Sequence, residues 1–215
     1  MGTVVSEMTD SEPVARPPGP RSPTARRGKR ERLIGSATEI AHSHGVQGTT
    51  LALVAKAADV PIGNVYYYFK TRDDLLRAVV DEHARRVSDL LAALDRRSTP
   101  RARLQGLAHN WAEAADLVAA RGCPIGGLSG DLGKLDGDLH DCASRLLRIL
   151  IDWATRQLTE LGVPDAPAEA VSLLARVQGA ALFANAFDDP KLLTEEVARI
   201  ERAIDDLADA AEAAR

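Results

Sequence analysis

The sequence predicts an all-α protein: a short three-helix head followed by a bundle of longer helices. Three observations lead there. Apolar residues recur every three or four positions along most of the chain. No segment alternates apolar and polar side chains as a half-buried strand would. Capping residues, Gly and Pro punctuate the chain at intervals of helix length. With 215 residues, 45% of them apolar, the chain is long enough for one or two domains with a real core.

Residues 1–27 hold five prolines and show no periodicity, so a disordered tail is expected there. The folded part then divides into 28–74 and 75–215. A first helix is expected from Lys29 to His44, with Leu33, Ala37, Ile40, Ala41 and His44 recurring at three and four residues along one side and Gly45 as its stop. Thr50 is a suitable N-cap for a short second helix bearing Leu51, Val54, Ala55 and Ala58. Pro61 opens a third, pinned by Val65 and Phe69. A fourth starts near Thr71 or Arg72 with Asp73 and Asp74 in its first turn, where the helix dipole favours acids, and runs to about Leu94. Beyond it, Thr99-Pro100 starts a helix reaching about Arg121, and GCPIGGLSGDLG reads as an irregular connection with room for one helical turn. Helices at about 138–161, 168–186 and 194–213 complete a bundle, with Gly162 ending the first of these.

Charge is split along the chain. Residues 21–72 carry nine Arg or Lys against three acids, whereas residues 73–215 carry 17 basic and 25 acidic residues. One end is suited to a polyanion and the other is not. No run of about 18 uncharged apolar residues exists, and the N-terminal residues lack a secretory apolar stretch, so no membrane partner and a cytoplasmic location are expected. Cys123 and Cys142 have neither metal-ligand nor redox spacing, and the five histidines have no ligand spacing. No nucleophile triad, phosphate loop or HExxH is present, so neither catalysis nor a metal or other cofactor is expected.

Tyr66, Tyr67 and Tyr68 are the chain's three tyrosines, and they are consecutive. On a helix they point about 100° apart, so one buried face cannot hold them all. The two short helices around Asp59, braced by the first helix, have helix-turn-helix layout. Asp59 sits in the turn, where Asp tolerates a left-handed conformation. Val65 and Phe69 then point inward on the recognition helix, while Ile62, Gly63, Asn64, Tyr66 and Tyr67 face out, with Tyr68 at the edge. Outward tyrosines offer a flat face to thymine methyls or sugars and a hydroxyl to phosphate. Thr49, Thr50, Lys70 and Arg72 add candidate phosphate contacts, and RRGKRER at 26–32 reads as a flexible basic arm.

The stretch GVQGTTLALVAKAADVPIGNVYYYFKTRDDLLRAV resembles the N-terminal domain of the TetR family of bacterial transcriptional regulators, over residues 29–80. Three positions depart from the family pattern: Ala52 and Leu53 stand where polar residues are frequent, and Asp59 stands where glycine is commoner. The resemblance implies a homodimer that binds double-stranded DNA at a palindromic operator, usually as a repressor. It also implies a helical C-terminal domain that dimerises and takes a small-molecule effector. Family roles carry over to Thr49, Gly63, Asn64, Tyr66, Tyr67, Tyr68 and Arg72, with Tyr66 and Tyr68 as phosphate contacts.

In the C-terminal half, RVQGAALFANAF is similar to the family's dimerisation helix, with Gly179, Ala180, Phe183 and Ala184 as contacts. Two-fold symmetry would space the recognition helices by about 34 Å, one turn of DNA, which suits an inverted repeat. Leu107, Trp111, Ile125, Leu128, Leu150, Trp153, Phe183 and Phe187 are the candidate effector pocket, mostly apolar, with His109, Asn110 and Gln178 as its polar anchors. Such a lining suits an apolar or aromatic effector. RGCPIGGLSGDL is similar to a Gly-Cys loop of some of these regulators, with Cys123 read as a buried thiol ahead of a sensing one. The other reading kept open is a helical ligand-binding or adaptor protein that never touches DNA.

Overall fold

The computed structural model describes the backbone of residues 23–214 and, from residue 28, their side chains apart from that of Ala143. The tail expected over 1–27 lies outside the described residues as far as residue 22. Eleven helices and no strand occur among the described residues.

The head consists of α1 (Pro23–Gly48), α2 (Leu51–Ala57), α3 (Ile62–Tyr68) and the start of α4 (Arg72–Leu94). Helix α1 is longer than the periodicity indicates, and it takes in the basic run 26–32, which is helical instead of a flexible arm. Pro23 stands at the first helical position, where its missing N–H costs nothing. At Gly45 the backbone turns to φ +70°, so the helix breaks where expected and Val46–Gly48 form a turn. Thr50 caps α2 by accepting from Leu53 N at 3.2 Å. The α2–α3 turn has Asp59 at φ +49°, the left-handed conformation the sequence reading assigns it. Helix α4 opens with a reciprocal capping box: Asp74 N donates to Thr71 Oγ1 and Thr71 N to Asp74 Oδ2, both at 3.0 Å. The hydrogen bonds from Thr71 hold the Asp74 carboxyl below its usual range.

The body differs from the expected elements at three places. The helix expected through Arg121 is two, α5 (Pro100–Glu113) and α6 (Ala115–Arg121), separated at Ala114. The sequence has no breaker there; the change of direction lets Ala115, Val118 and Ala119 pack into the core. The irregular connection is a nine-residue helix, α7 (Pro124–Leu132). Pro124 sits at its N1 position and Cys123 Sγ accepts from Gly126 N at 3.4 Å. Burial of Leu128 and Leu132 outweighs the helix propensity lost at its glycines. The next helix is also divided, at Ser144, into α8 (Asp138–Ala143) and α9 (Arg145–Leu161). Gly162 ends α9 in the left-handed conformation, and α10 (Ala166–Phe187) and α11 (Lys191–Ala213) pack antiparallel after it.

Two cores result. The body core surrounds Leu150, Trp153, Leu158 and Ile204, with Trp153 Nε1 donating to Asp95 at 2.8 Å. The head core, built on Leu33, Val54, Val65, Leu75 and Leu76, is not closed by the head alone. Leu128 and Leu132 of α7, Leu139 of α8 and Leu146 of α9 complete it. Each fully buried leucine contributes roughly 1.5–3 kcal/mol, so this junction is packed core and not a loose linker.

Candidate nucleic-acid interface

Helix α3 is fixed from below and open above. Val65 is fully buried and Phe69 nearly so, which anchors the helix by its inner side. On the outer side Ile62, Tyr66 and Tyr67 are 44%, 50% and 62% exposed. Tyr68 is half-buried against the head core and meets Tyr67 edge-on, ring centroids 5.1 Å apart. Asn64 is half-buried, and Gly63 is exposed, with no protein atom within 4 Å of where a Cβ would stand. Packing within the protein therefore does not require this glycine, whereas a bulky surface approaching from outside would. Lys70 and Thr50 are exposed beside the helix, and Lys56 of α2, which the sequence reading passed over, is exposed as well.

Two expected contacts are placed otherwise. Thr49 is fully buried, and its hydroxyl donates to Gly45 O at 3.0 Å, so it shapes the α1–α2 turn. Arg72 is half-buried; Nε donates to Thr49 O at 2.8 Å and Nη2 to Val46 O. Its guanidinium holds that same turn by donating to two of its carbonyls, and is not available to phosphate as placed. Arg30 and Arg32 also serve as braces: Arg30 lies over the Phe69 ring at 5.6 Å, and Arg32 donates to Asp59 O at 3.3 Å.

The residues expected to form one apolar pocket are dispersed. Leu107 and Trp111 border a void of about 20 Å³ in the body core, room for about one water. Leu150 and Trp153 are core, and Ile125 packs between the two cores. Phe183 and Phe187 are 56% and 68% exposed and stack on each other on the outside of α10. His109 lies on the surface, 3.6 Å from Glu113.

Leu128 and Gln178 do border a large cavity, of about 700 Å³, at the junction of α1, α4, α6, α7, α9 and α10. Its wall is far more polar than expected: His42, His83, Arg121, Ser129, Asp131 and Asn185 line it. Burial, with Arg86 and His42 nearby, holds His83 below the ordinary histidine value and favours its neutral form. The same wall ties head to body. His42 Nε2 lies 2.9 Å from Gly122 O, Val46 N donates to Asp131 Oδ2 at 2.9 Å, and Glu39 pairs with Arg121 at 3.5 Å. Residues 42, 83, 121, 129 and 178 are dispersed in sequence, so no local pattern announces them.

Of the expected dimerisation residues, Gly179 and Ala180 are half-buried and Phe183 is exposed along one groove with Phe187, Leu192 and Glu196. Ala184 is fully buried within the chain and faces the core instead. By length and composition α10 could cross a membrane, but Leu173, Val177 and Ala181 are buried in the body core, and Val171 and Leu182 add to its exposed apolar side.

A model of the bacterial regulatory proteins of the tetR family matches residues 33–79. The chain is 26% identical over 174 residues to an uncharacterized HTH-type transcriptional regulator in the lacX 3' region of Lactococcus lactis subsp. lactis, covering 78% of this chain and 88% of that protein. It is 30% identical over 127 residues to the transcriptional regulator AcuR of Cereibacter sphaeroides, 58% of this chain and 57% of that one. The crystal structure of regulatory protein TetR from Rhodobacter sphaeroides shares the fold with a TM-score of 0.72 and 25% identity, over 81% of this chain and 97% of that one. The family match begins at Leu33 of α1 and ends at Val79 of α4, and so spans the second and third helices entirely.

Proposed function

The chain belongs to the TetR family of bacterial transcriptional regulators and carries its DNA-binding helix-turn-helix, and from that premise we propose a homodimeric repressor that a small molecule releases from an inverted-repeat operator. Residues 28–74 are the DNA-reading unit and residues 75–215 the effector-binding and dimerising one. The observation that carries the proposal is the outer side of α3. Tyr66 and Tyr67 stand exposed beside an open Gly63 while Val65 and Phe69 hold the helix in place. In this reading Ile62 and the tyrosine rings meet base edges and sugars, the tyrosine hydroxyls and Lys70 meet phosphates, and Thr50 adds a donor at the start of α2. Thr49 and Arg72 act one step back by fixing the turn that aims α2 and α3.

The exposed apolar side of α10, with Phe183, Phe187 and Leu182, is the surface that a second copy would cover. A two-fold pair built on it presents two copies of α3 to successive major grooves. The effector site is the cavity between head and body. A molecule bound there would favour one setting of α1 against α7, because His42, Val46 and Glu39 are bonded to its wall. Release then requires that the effector bind the DNA-incompetent setting more tightly than the competent one.

The test is a gel-shift titration against the DNA upstream of the protein's own gene at two salt concentrations. Sequence-selective binding that weakens at higher salt is the expected result. Absence of binding at low salt would reject the regulator and favour a ligand-binding protein that does not engage DNA.

A further inference from the structure

The cavity between head and body is bounded by polar groups that have nothing to bond to. Ser129, 8% exposed, is nine-tenths buried, and its hydroxyl has no partner among the described residues; neither has the buried Gln178 Nε2. An unpaired buried polar group costs about 1–3 kcal/mol, so two on one cavity wall are a standing cost that a bound molecule would relieve. They are also close together. The Gln178 side chain lies against Gly126, where a Cβ on that glycine would collide with Oε1. Ser129 is three residues further along α7, and hence on the same side of the helix. Gly126 therefore makes room for the amide, and the amide and the hydroxyl look into the same space.

The remaining wall decides the ligand's chemistry. Of its carboxylate and its guanidinium, the first, Asp131, is occupied, accepting from Val46 N at 2.9 Å and lying 3.6 Å from Lys134. Arg121 is about half exposed and held only by the 3.5 Å pair with Glu39, so its guanidinium can turn inward. The Asn185 amide is committed to Ala119 O at 2.8 Å. His83, neutral when folded, offers a further ring N–H. The Ser129 hydroxyl, the Gln178 Nε2 amide hydrogens, a His83 ring N–H and one cation can all donate to a ligand here, a set matched by a group with two acceptor oxygens and negative charge. Leu128 and Leu147 supply apolar wall for the rest of such a molecule. We propose that the cavity binds an organic carboxylate, its two oxygens taken by Gln178 and Ser129 and its hydrocarbon body lying along α7 and α9. This rests on the cavity being the effector site, and it replaces the apolar or aromatic effector that the sequence suggests.

The test is isothermal titration calorimetry of the full chain without DNA, using benzoate and octanoate as probes. Benzamide, benzyltrimethylammonium and toluene serve as neutral, cationic and apolar counterparts. The carboxylates should bind and the counterparts should bind at least ten times more weakly. Ser129→Ala and Gln178→Ala should each weaken carboxylate binding roughly ten- to hundred-fold. Gln178→Glu, which puts a negative charge where the ligand's would lie, should abolish it. Melting curves of the unliganded variants show that they remain folded, and Thr159→Ala, on the far end of α9, should bind as the parent does. Equal or tighter binding of toluene, the amide or the cation would overturn the proposal, as would no binding of either carboxylate or binding that ignores both α7 and α10 substitutions. Because no DNA is present, a protein that binds benzoate but fails the gel shift would keep this inference and lose the regulator reading, and the reverse outcome would do the opposite.

Discussion

Single side chains are where both the proposed contact with DNA and the sensitivity to acid are tested. Replacing Tyr66 and Tyr67 by Phe keeps the rings and removes the hydroxyls. Each replacement should weaken operator binding by about 1–2 kcal/mol, a factor of roughly ten, if the hydroxyl meets a phosphate. Fluorescence anisotropy on operator DNA measures it, with unrelated DNA weakened in step. His83 makes the second prediction. Burial lowers its affinity for a proton below that of the unfolded chain, so between the two pKa values the unfolded state holds more protons and stability rises with pH. Its stabilising contribution is complete above about 6.5, the ordinary histidine value, and is lost as the pH falls below it. The melting temperature of the parent should therefore drop more steeply from neutral toward mildly acid pH than that of His83→Gln. At this scale the sequence was a good guide where chemistry is local. Asp59 is left-handed because the turn demands it, and three adjacent tyrosines must partly face out. It was a poor guide for Thr49 and Arg72, whose side chains are turned inward by carbonyls that only the folded α1–α2 turn presents.

Among the helices, those with strong start signals lie where their residues indicate. Thr50, Pro61, Thr71 and Thr99-Pro100 each open a helix, because a cap is written in the few residues that make it. Thr71→Ala removes one half of the capping box and should cost about 1 kcal/mol, read as a lower urea midpoint with unchanged slope. Breaks at Ala114 and Ser144 have no such signature, since packing against neighbours and not turn chemistry sets them. Helix α7 was hidden for the opposite reason. Its glycines read as a loop, and only burial of Leu128 and Leu132 against the head makes it a helix. Gly45→Ala probes the break in α1. An added Cβ would stand 2.9 Å from Asp131 Oδ2 at a φ of +70°, so a loss of about 1–3 kcal/mol is expected from strain alone, together with loss of the contact from Val46 N. Thermal unfolding followed by circular dichroism measures it.

For the whole molecule, the exposed α10 side makes a claim about association. Phe183→Arg places a charge amid Phe187, Leu182 and their counterparts in a second copy, and should convert a dimer to monomers by sedimentation while weakening operator binding at least a hundred-fold, since both half-sites then bind singly. The overall plan of head and bundle could be read from periodicity, whereas the cavity arises where six separate elements meet and had no linear trace. The seam between the two parts has one more consequence. Because Leu128, Leu132, Leu139 and Leu146 finish the core beneath the recognition helix, a fragment cut after Val79 would lack part of its own interior. Such a fragment should express as an unstructured peptide, and lesions in α7, remote in sequence from every residue proposed to meet DNA, should turn up in a genetic selection for lost operator occupancy.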